Sequence, residues 1–565
     1  MPTQNHKIKV AYFSMEIGFN PEIPTYSGGL GILAGDTLKS AADLSTPIAG
    51  ITLLYHQGYG IQKLSENGWQ YEEPVKWDPS SFMKLQNNII EITLEGRVVL
   101  AQAWRYDLKG TTGSVVPIYF LDTALPENHI DDQLLSSRLY GGDQKFRLKQ
   151  EALLGAGGVK LLKSLGLYPD IETFHMNEGH AALLTLELLK DYNFQDSAVA
   201  QKCTFTTHTP IPAGHDHFSY ELAYQVLGDL LPWHTQKIAG MQDLNMTTLA
   251  LNMSRYRNAV AQKHGEVSRN MFPGYEIDAI TNGVHPITWT SQRYQEIFNQ
   301  YLPQWKLDYR AFQGADAIPD QLLWSNHQKN KQDLLNYIEK TTSEKFSLDK
   351  LTIGFARRAA PYKRASLLFH DLERLAKIVS KSKGGLQVVY AGMAHPQDEA
   401  GKIEIQKVIQ SIKKLKGQVD VVYLENYNMK VAELMTAGVD VWLGNPIRPR
   451  EASGTSGMKA TLNGVLNFCV LDGWWIEGHK EDVTGWAIGP QPTEVDLIDQ
   501  PNDIDADDLY IKLEKKILPL YYTNQAAWIG MMKNALVSNA SFFNTHRMVE
   551  EYTQKAYTAK QKVAA

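Results

Sequence analysis

An α/β chain with two doubly wound domains facing each other across a cleft is the fold class this sequence predicts. Three observations carry that reading. Short β-rich runs alternate with helix-like stretches through the second half. These apolar runs are continuous rather than alternating, as strands in a parallel sheet buried on both faces should be. The chain has 565 residues, more than one core usually sustains, so at least two domains are expected.

The expected strands of the second half are Leu351–Ala356, Leu386–Ala391, Val419–Leu424, Val439–Leu443 and Val465–Leu471. Helices are expected over Tyr362–Ser380, Pro396–Leu415, Met429–Ala437 and Thr455–Leu462. In the first half, Lys9–Ser14 and Ala49–Tyr55 read as buried strands around a helix at Leu30–Leu44. Asn88–Tyr106 reads as a hairpin turning at Glu95-Gly96. Phe174–His175 and Cys203–His208 read as strand ends opening into loops, and Arg147–Leu165, Glu178–Lys190 and Ser254–Asn270 as helices. Trp289–Lys350 is helix-rich and polar. The Asn-Gly turn within Asn282–His285 marks the junction between a substrate-side domain, 1–284, and a second Rossmann-like domain, 285–565. A helix over Phe542–Gln561 is expected to pack back on the first domain. Two such domains place ligands at the carboxyl ends of their strands, in the cleft between them.

Composition narrows the function classes. Hydrophobic residues make up 43% and charged residues 21%, which is ordinary for a globular protein. Acidic and basic residues number 62 and 56, and a net charge of −6 gives no reason to expect nucleic acid or an anionic membrane as partner. Cys203 and Cys469 both lie in apolar runs, so two buried free thiols are expected rather than a disulfide or a zinc site, and a cytoplasmic location fits. The N-terminus runs straight into a strand without a signal-peptide core, and no apolar run is long enough to span a bilayer. Twelve Trp and 27 Tyr suggest surfaces for stacking on sugars, although most should be core aromatics.

The strongest chemical signal is Glu451-Ala452-Ser453-Gly454-Thr455-Ser456-Gly457-Met458-Lys459. Its small residues let a backbone approach an anion closely, and a helix starting near Ser456 would aim free N–H groups at it. Lys459 falls in that first turn, where the helix pole should lower its pKa toward the neutral amine that Schiff-base chemistry needs. The plain alternative is a Gly/Ser-rich cap with Lys459 in solvent. The second signal is Arg357-Arg358-Ala359-Ala360-Pro361-Tyr362-Lys363-Arg364, directly after an expected strand. Four cations at a strand end can build an anion pocket, with Pro361 placed to start a helix. The third is the glycine loop Tyr26–Gly31, a weak signal by itself. The fourth is a set of polar strand ends: Phe174–His180, Thr206–Thr209 and Thr281–His285. Donors and acceptors of this kind suit hydroxyl-rich ligands. His175 and His180 lack zincin spacing, so no metal is expected.

Taken together, these segments resemble the glycogen and starch (α-glucan) phosphorylases in a short bacterial or archaeal form. The resemblance is carried in order by YFSMEIG (Tyr12–Gly18), GGLG (Gly28–Gly31), RLKQE (Arg147–Glu151), NEGH (Asn177–His180), THT (Thr207–Thr209), TNGV (Thr281–Val284), RRAAPYKR (Arg357–Arg364), ENY (Glu425–Tyr427) and EASGTSGMK (Glu451–Lys459). It implies the GT-B glycosyltransferase architecture and a dependence on pyridoxal phosphate bound to Lys459 as an imine. In that family the cofactor's phosphate exchanges a proton with substrate phosphate, which protonates the glycosidic oxygen. The product is α-glucose 1-phosphate with configuration retained.

The resemblance assigns catalysis to Lys459, Arg358, Lys363 and His208. It assigns cofactor contacts to Lys459, Arg357, Thr455, Ser456, Gly457, Tyr427, Trp289 and Gly29. It assigns glucose contacts to Asn282, His208, Tyr362, Glu451, Ala452, Ser453, Gly454, Gly29 and His180. Two phosphates held close together must be neutralised, and Arg357, Arg358, Lys363 and the backbone amides of Gly29 and Ser456 would do this. No carboxylate pair stands out for glycosidase chemistry, in keeping with acid–base work by phosphate. The partners implied are an α-glucan and inorganic phosphate, with a homodimer as the family's usual state.

The sequence also departs from the large members of that family. Ala360-Pro361 replaces a His-Glu pair, Ser456-Gly457 replaces Gly-Asn, and Asn445–Arg450 replaces a small polar lead-in to Glu451. The chain starts almost at its first strand, and the stretch from His208 to Asn282 is short for a separate glycogen-storage site. Control by nucleotide or phosphorylation is therefore not expected. Two other readings stand beside this one: a nucleotide-sugar-dependent glycogen or starch synthase, and a non-catalytic glucan-binding protein.

Overall fold

The computed structural model describes residues 7–491 and 502–558. The protein is mixed α/β, with parallel sheets in two compact units. Unit 1 groups Met1–Gly60, Pro74–Thr281 and Met548–Ala565, and unit 2 groups Ile61–Glu73 and Asn282–Arg547. This differs from a single cut at 284/285. The hairpin of Ile61–Leu64 and Gln70–Glu73 belongs to unit 2, because the Gln62 and Gln70 amides bond its backbone at Gly392 and Ala394. The C-terminal segment belongs to unit 1, because Met548, Val549, Tyr552 and Tyr557 pack into the same core as Val10 and Tyr12.

In unit 1 the main sheet is built from β1 (Val10–Phe13), β2 (Ile48–Leu53), β3 (Lys84–Leu94), β4 (Arg97–Lys109), β5 (Val115–Asp122), β6 (Thr173–Asn177), β7 (Cys203–Thr206), β8 (Tyr256–Ala259) and β9 (Asp278–Ala279). Their order across the sheet is β9-β8-β7-β6-β1-β2-β5-β4-β3. Pairing is parallel except at β3–β4 and β4–β5. Strands β1, β2, β6 and β7 are buried at every residue, which explains the apolar runs of β1 and β2, while β6 and β7 carry buried polar residues, among them His175, Asn177 and Thr206. The β3–β4 turn uses Glu95 at φ 51° and Gly96 at φ 70°, the two left-handed positions of a type I′ hairpin. Helix Gly29–Asp43 lies so close to the loop after β1 that a Cβ on Gly35 would fall 1.9 Å from the Gly18 carbonyl oxygen.

Unit 2 carries β10 (Leu351–Ala356), β11 (Leu386–Ala391), β12 (Asp420–Leu424), β13 (Val441–Gly444), β14 (Leu466–Val470) and β15 (Gly485–Ile488). All pairs are parallel, in the order β12-β11-β10-β13-β14-β15. The order reverses between β10 and β13, where open parallel sheets gather ligands at the strand carboxyl ends. The two segments following those strands are Arg357–Arg364 and Asn445–Lys459.

Several expected elements are corrected. No helix runs over Tyr362–Ser380. Pro361–Lys363 makes a single 3-10 turn, Arg364 turns left-handed at φ 49°, and the helix starts only at Leu372, capped by Asp371. The helix expected from Glu178 starts at Leu184, because Glu178 has φ 77° and a 3-10 turn follows. Ser254–Asn270 divides into β8 and helix Gln262–Met271, since the short run beside β7 pairs with it. In Phe542–Gln561, Asn544 bridges to Val284 and the helix begins at Thr545; residues 559–561 lie outside the described residues.

Cys203 and Cys469 are free and buried, as expected, and burial pushes the Cys469 thiol up to about 12. Trp289, Trp305, Trp442, Trp475, Trp486 and Trp528 are fully buried core side chains. Among the described residues, no helix is long and apolar enough to cross a membrane.

His175 on β6 ties the C-terminal segment to the sheet. Its Nδ1 lies 2.8 Å from the Tyr557 hydroxyl and its Nε2 lies 2.9 Å from Thr206 Oγ1. Burial, helped by His208, holds its pKa near 3. The unfolded chain takes up this proton near pH 6.5 and the folded chain does not, so stability falls on acidification through that window. At pH 5 this one group costs about 2 kcal/mol relative to neutral pH. Urea unfolding of the wild type and His175→Gln at pH 7.5 and pH 5.0 should show a smaller pH-dependent loss in the variant.

Candidate functional site

The centre of unit 2 is a buried carboxylate shared by two cations. Arg357, just past β10, donates from Nη1 to Glu451 Oε2 at 3.1 Å, and Lys363 contacts the same oxygen. All three side chains are about nine-tenths buried. Burial works against ionisation of Glu451, yet Lys363 and then Arg357 hold its pKa below the usual range. Beside it, Asp472 accepts the Glu451 amide at 2.9 Å through Oδ2 and the Gly473 amide at 2.9 Å through Oδ1. Burial, with the nearby Glu451 charge, raises the Asp472 pKa to about 8. Arg357 and Lys363 thus share one ionised carboxylate, with Asp472 shifted toward its neutral form beside them. Arg357 Nε and Ser453 Oγ are buried without a hydrogen-bond partner. Two cations on one carboxylate, with unsatisfied donors beside them, are what an anion site requires.

Backbone geometry explains the small residues here. Gly454 is left-handed at φ 79°, and a Cβ there would lie 3.1 Å from Glu451 Cγ. A Cβ on Gly444, the last residue of β13, would lie 2.6 Å from Arg357 Nη2. The Ile447 amide donates to the Tyr362 carbonyl at 2.7 Å, which joins the two segments, and Lys363 Nζ lies 4.6 Å from the Tyr362 ring centroid.

Helix Ser456–Thr461 follows, with no side chain capping it from Thr455. Lys459 is 7% exposed, and its Nζ sits 3.6 Å from the centroid of the Trp289 ring. This is a buried amine over an indole face rather than a lysine in solvent. Asn463 donates to the Trp289 carbonyl at 2.7 Å and to the Lys459 carbonyl at 3.1 Å, fixing one against the other. Ser456 Oγ accepts from Trp442 Nε1 at 3.1 Å, and Asn467 donates to the Gly457 carbonyl at 3.1 Å. A Cβ on Gly457 would fall 2.3 Å from Asn467 Oδ1.

Unit 1 has its own polar centre. His208 Nε2 lies 2.7 Å from Asn177 Oδ1, and its amide donates to Glu178 Oε2 at 2.7 Å. Glu178 also accepts from the Gly179 amide and Thr209 Oγ1, both at 2.9 Å. Burial lowers the His208 pKa to about 4, against the pull of Glu178. His180 faces Asp216 at 3.3 Å, has a buried Nδ1 without a partner, and is lowered by burial and then by Arg147. Both rings are thus neutral. The glycine loop is held from below: Glu16 Oε2 accepts the Ser27 amide at 2.6 Å and the Gly28 amide at 3.2 Å. Those two amides are therefore committed to a protein carboxylate, while the space beyond Gly29 is open within 4 Å of an added Cβ.

The structure brings Arg357, Tyr362, Lys363 and Glu451 together, with Ser453, Gly454 and half-buried Ala452 in the same turn, and it sets Lys459 on Trp289. Arg358 is exposed. Arg364, counted among the four cations, turns inward instead: its Nη2 donates to Asp505 Oδ2 at 2.6 Å and its Nε to the Asn445 carbonyl at 2.8 Å. Tyr427 packs on the core that includes Trp442 and Ala460. Asn282 is buried with Oδ1 unpartnered, and its carbonyl accepts from Arg547 Nη2 at 3.4 Å. Sequence reasoning missed Glu16, Asn177, Glu178 and Asp472 as holders of the site. The first three lie in motifs already singled out. Asp472 had no signal beyond an Asp-Gly pair after an apolar run.

The family model described as carbohydrate phosphorylase matches residues 215–485. A maltodextrin phosphorylase of Thermococcus litoralis is 40% identical, over 97% of this chain and 70% of that protein. A glycogen phosphorylase of Mycobacterium tuberculosis is 33% identical over 97% of this chain and 70% of its own. One from Aquifex aeolicus is 34% identical over 98% and 86% respectively.

Removing the shared carboxylate should be costly, because it leaves two buried cations uncompensated. Glu451→Gln is expected to lower stability by about 3–5 kcal/mol in denaturant unfolding. Lys363→Met, which keeps the Arg357–Glu451 pair, should lose less. Inorganic phosphate should raise the melting temperature of the wild type and have a smaller effect on Lys363→Met.

Proposed function

This chain belongs to the carbohydrate phosphorylase family, and from that premise we propose that it is an α-glucan phosphorylase, a hexosyltransferase that cleaves terminal glucosyl residues of a maltodextrin, glycogen or starch with phosphate. The observation that carries the reading is the buried Lys459 amine over Trp289, in the same loop-and-helix segment as a carboxylate outnumbered by cations. Neither a nucleotide-sugar synthase nor a plain glucan binder has use for a buried amine of this kind. The same reading takes each unit as a Rossmann-like half of a GT-B glycosyltransferase, supported in unit 2 by the strand order. A cytoplasmic enzyme is supported by its two free buried thiols.

The residues fit pyridoxal phosphate. Lys459 supplies a buried amine and Trp289 a flat apolar face. Arg357 Nε and Ser453 Oγ are buried donors without partners, and the helix start at Thr455, Ser456 and Gly457 is uncapped. Lys459, Trp289, Tyr427, Arg357 and the Thr455–Gly457 backbone would hold the group. When bound, it supplies a phosphate that serves as proton partner to the substrate phosphate.

The chain's own residues define what else must happen. Arg357 and Lys363, joined by Arg358 at the surface, neutralise bound phosphate and keep its charge from opposing sugar binding. Glu451 is held ionised by its two cations, so it orients and accepts hydrogen bonds rather than delivering a proton. Asp472 is committed to two backbone amides. The resemblance to the phosphorylases implies that the glycosidic oxygen takes its proton from phosphate, and the carboxylate of Glu451, held ionised, does not compete for that role. Asn282, Tyr362, Ala452, Ser453 and Gly454 are assigned to the glucosyl hydroxyls, as are Gly29, His180 and His208 on unit 1. The neutral His208 and His180 add no positive charge against the oxocarbenium character that develops at the sugar.

Incubation with maltodextrin and phosphate should release α-glucose 1-phosphate, while UDP- or ADP-glucose with primer should give no chain extension. Turnover of the nucleotide sugars alone would remove the reading. Borohydride reduction followed by peptide mapping should place a pyridoxyl group on Lys459, and Lys459→Ala should lose both cofactor absorbance and activity.

A further inference from the structure

The hairpin of residues 61–73 lies far in sequence from the rest of unit 2, yet its two glutamines are fully buried there. Gln62 donates from Nε2 to the Gly392 carbonyl at 2.7 Å and to Gln70 Oε1 at 2.9 Å, and its Oε1 accepts the Asn426 amide at 2.9 Å. Gln70 donates to the Ala394 carbonyl at 2.9 Å and to Glu72 Oε1 at 2.5 Å, and it accepts the Ala394 amide at 2.9 Å. Every amide hydrogen of the pair has a partner. Side chains that fold a β-hairpin need none of this. Three of these six bonds go to one remote loop, at Gly392 and Ala394, and a buried amide pair bonded in this way fixes that loop's position.

The loop so gripped, 392–394, supports the anion-binding segment. The Ala359 amide donates to the Met393 carbonyl at 3.0 Å. Gly392 is pressed against Arg357 so closely that a Cβ would lie 2.3 Å from the Arg357 carbonyl oxygen. Tyr423 donates to the same Gly392 carbonyl at 2.8 Å. The chain of contacts therefore runs from Gln62 and Gln70, through 392–394, to the backbone of Arg357–Ala359, and from Arg357 to Glu451. The hairpin has separate anchors on helix Glu399–Leu415. Glu72 pairs with Lys402 at 3.0 Å, and Lys413 donates to the Glu66 carbonyl at 2.5 Å.

We infer that Gln62 and Gln70 are positioning residues for Arg357, and that the hairpin thereby sets the affinity for phosphate in the reaction proposed above. The inference rests on that reaction only for its kinetic readout. Its structural content is that the backbone of Arg357–Ala359 depends on the two glutamines.

The test compares wild type, Gln62→Leu, Gln70→Leu and Lys413→Met, the last of which loosens the hairpin without touching loop 392–394. Hydrogen exchange read by mass spectrometry should show faster exchange in the two glutamine variants in peptides covering 391–396 and 355–360, and wild-type exchange there in Lys413→Met. The KM for phosphate should rise about tenfold in the glutamine variants, the equivalent of one or two lost hydrogen bonds, with the KM for maltodextrin unchanged. If peptides covering 355–360 exchange as in the wild type, the inference is overturned whatever the activity. It is equally overturned if the KM values for phosphate and maltodextrin rise together, or if only thermal stability falls, since a merely structural hairpin predicts that. A wild type without phosphorolysis would remove the proposed function instead, and the exchange comparison alone would then decide the role of the hairpin.

Discussion

The arrangement of unit 2 depends on one shared anion. Glu451 meets Arg357 from one segment and Lys363 from the end of the same segment, and all three are withdrawn from water. A buried ion group with this stoichiometry is stable only if its geometry is held from outside, because desolvation costs several kcal/mol per charge. The holding is visible: β10 and β13 are neighbours at the point where strand order reverses, so their following segments emerge side by side. Gly444 and Gly454 remove the side chains that would keep Arg357 and Glu451 apart. Asp472, its pKa raised by burial and by Glu451, accepts the Glu451 amide and fixes the turn.

The same device appears in unit 1 with the sign of the donors changed. Glu16 and Glu178 spend their oxygens on backbone amides, at the glycine loop and at the turn bearing His208. Glu178 adopts φ 77°, an unusual conformation for a non-glycine residue, and its carboxylate contacts on both sides keep it there. Burial keeps His208 and His180 neutral. Unit 1 thus gathers polar groups held by carboxylates, while unit 2 gathers cations around one carboxylate.

Much of this could be read in the residues. The strands of unit 2 were legible because both faces are buried, which leaves continuous apolar runs of the right length. The hairpin turning at Glu95-Gly96 was legible because a two-residue turn needs left-handed positions. The motifs around Lys459 and Arg357 announced anion chemistry through small residues and cations at strand ends. Less legible were the places where local pattern and tertiary contact disagree. The helix expected from Pro361 is interrupted because Arg364 turns toward Asp505, 141 positions away in sequence. Ser254–Asn270 has helical composition over most of its length, yet its first residues pair with β7 because a sheet edge was there to receive them.

By itself, the sequence determined the chemistry on offer: a lysine in a glycine-rich turn, a run of cations, neutral polar strand ends, and a mixed α/β chain to carry them. Those follow from residue type and short-range spacing, which are local properties. The tertiary structure decided which cations face an anion and which are structural, that Lys459 lies on Trp289 rather than in water, and that a hairpin from the first 73 residues braces a loop beyond residue 390. These are long-range pairings between groups with many equivalent partners along the chain, and only the folded backbone selects among them.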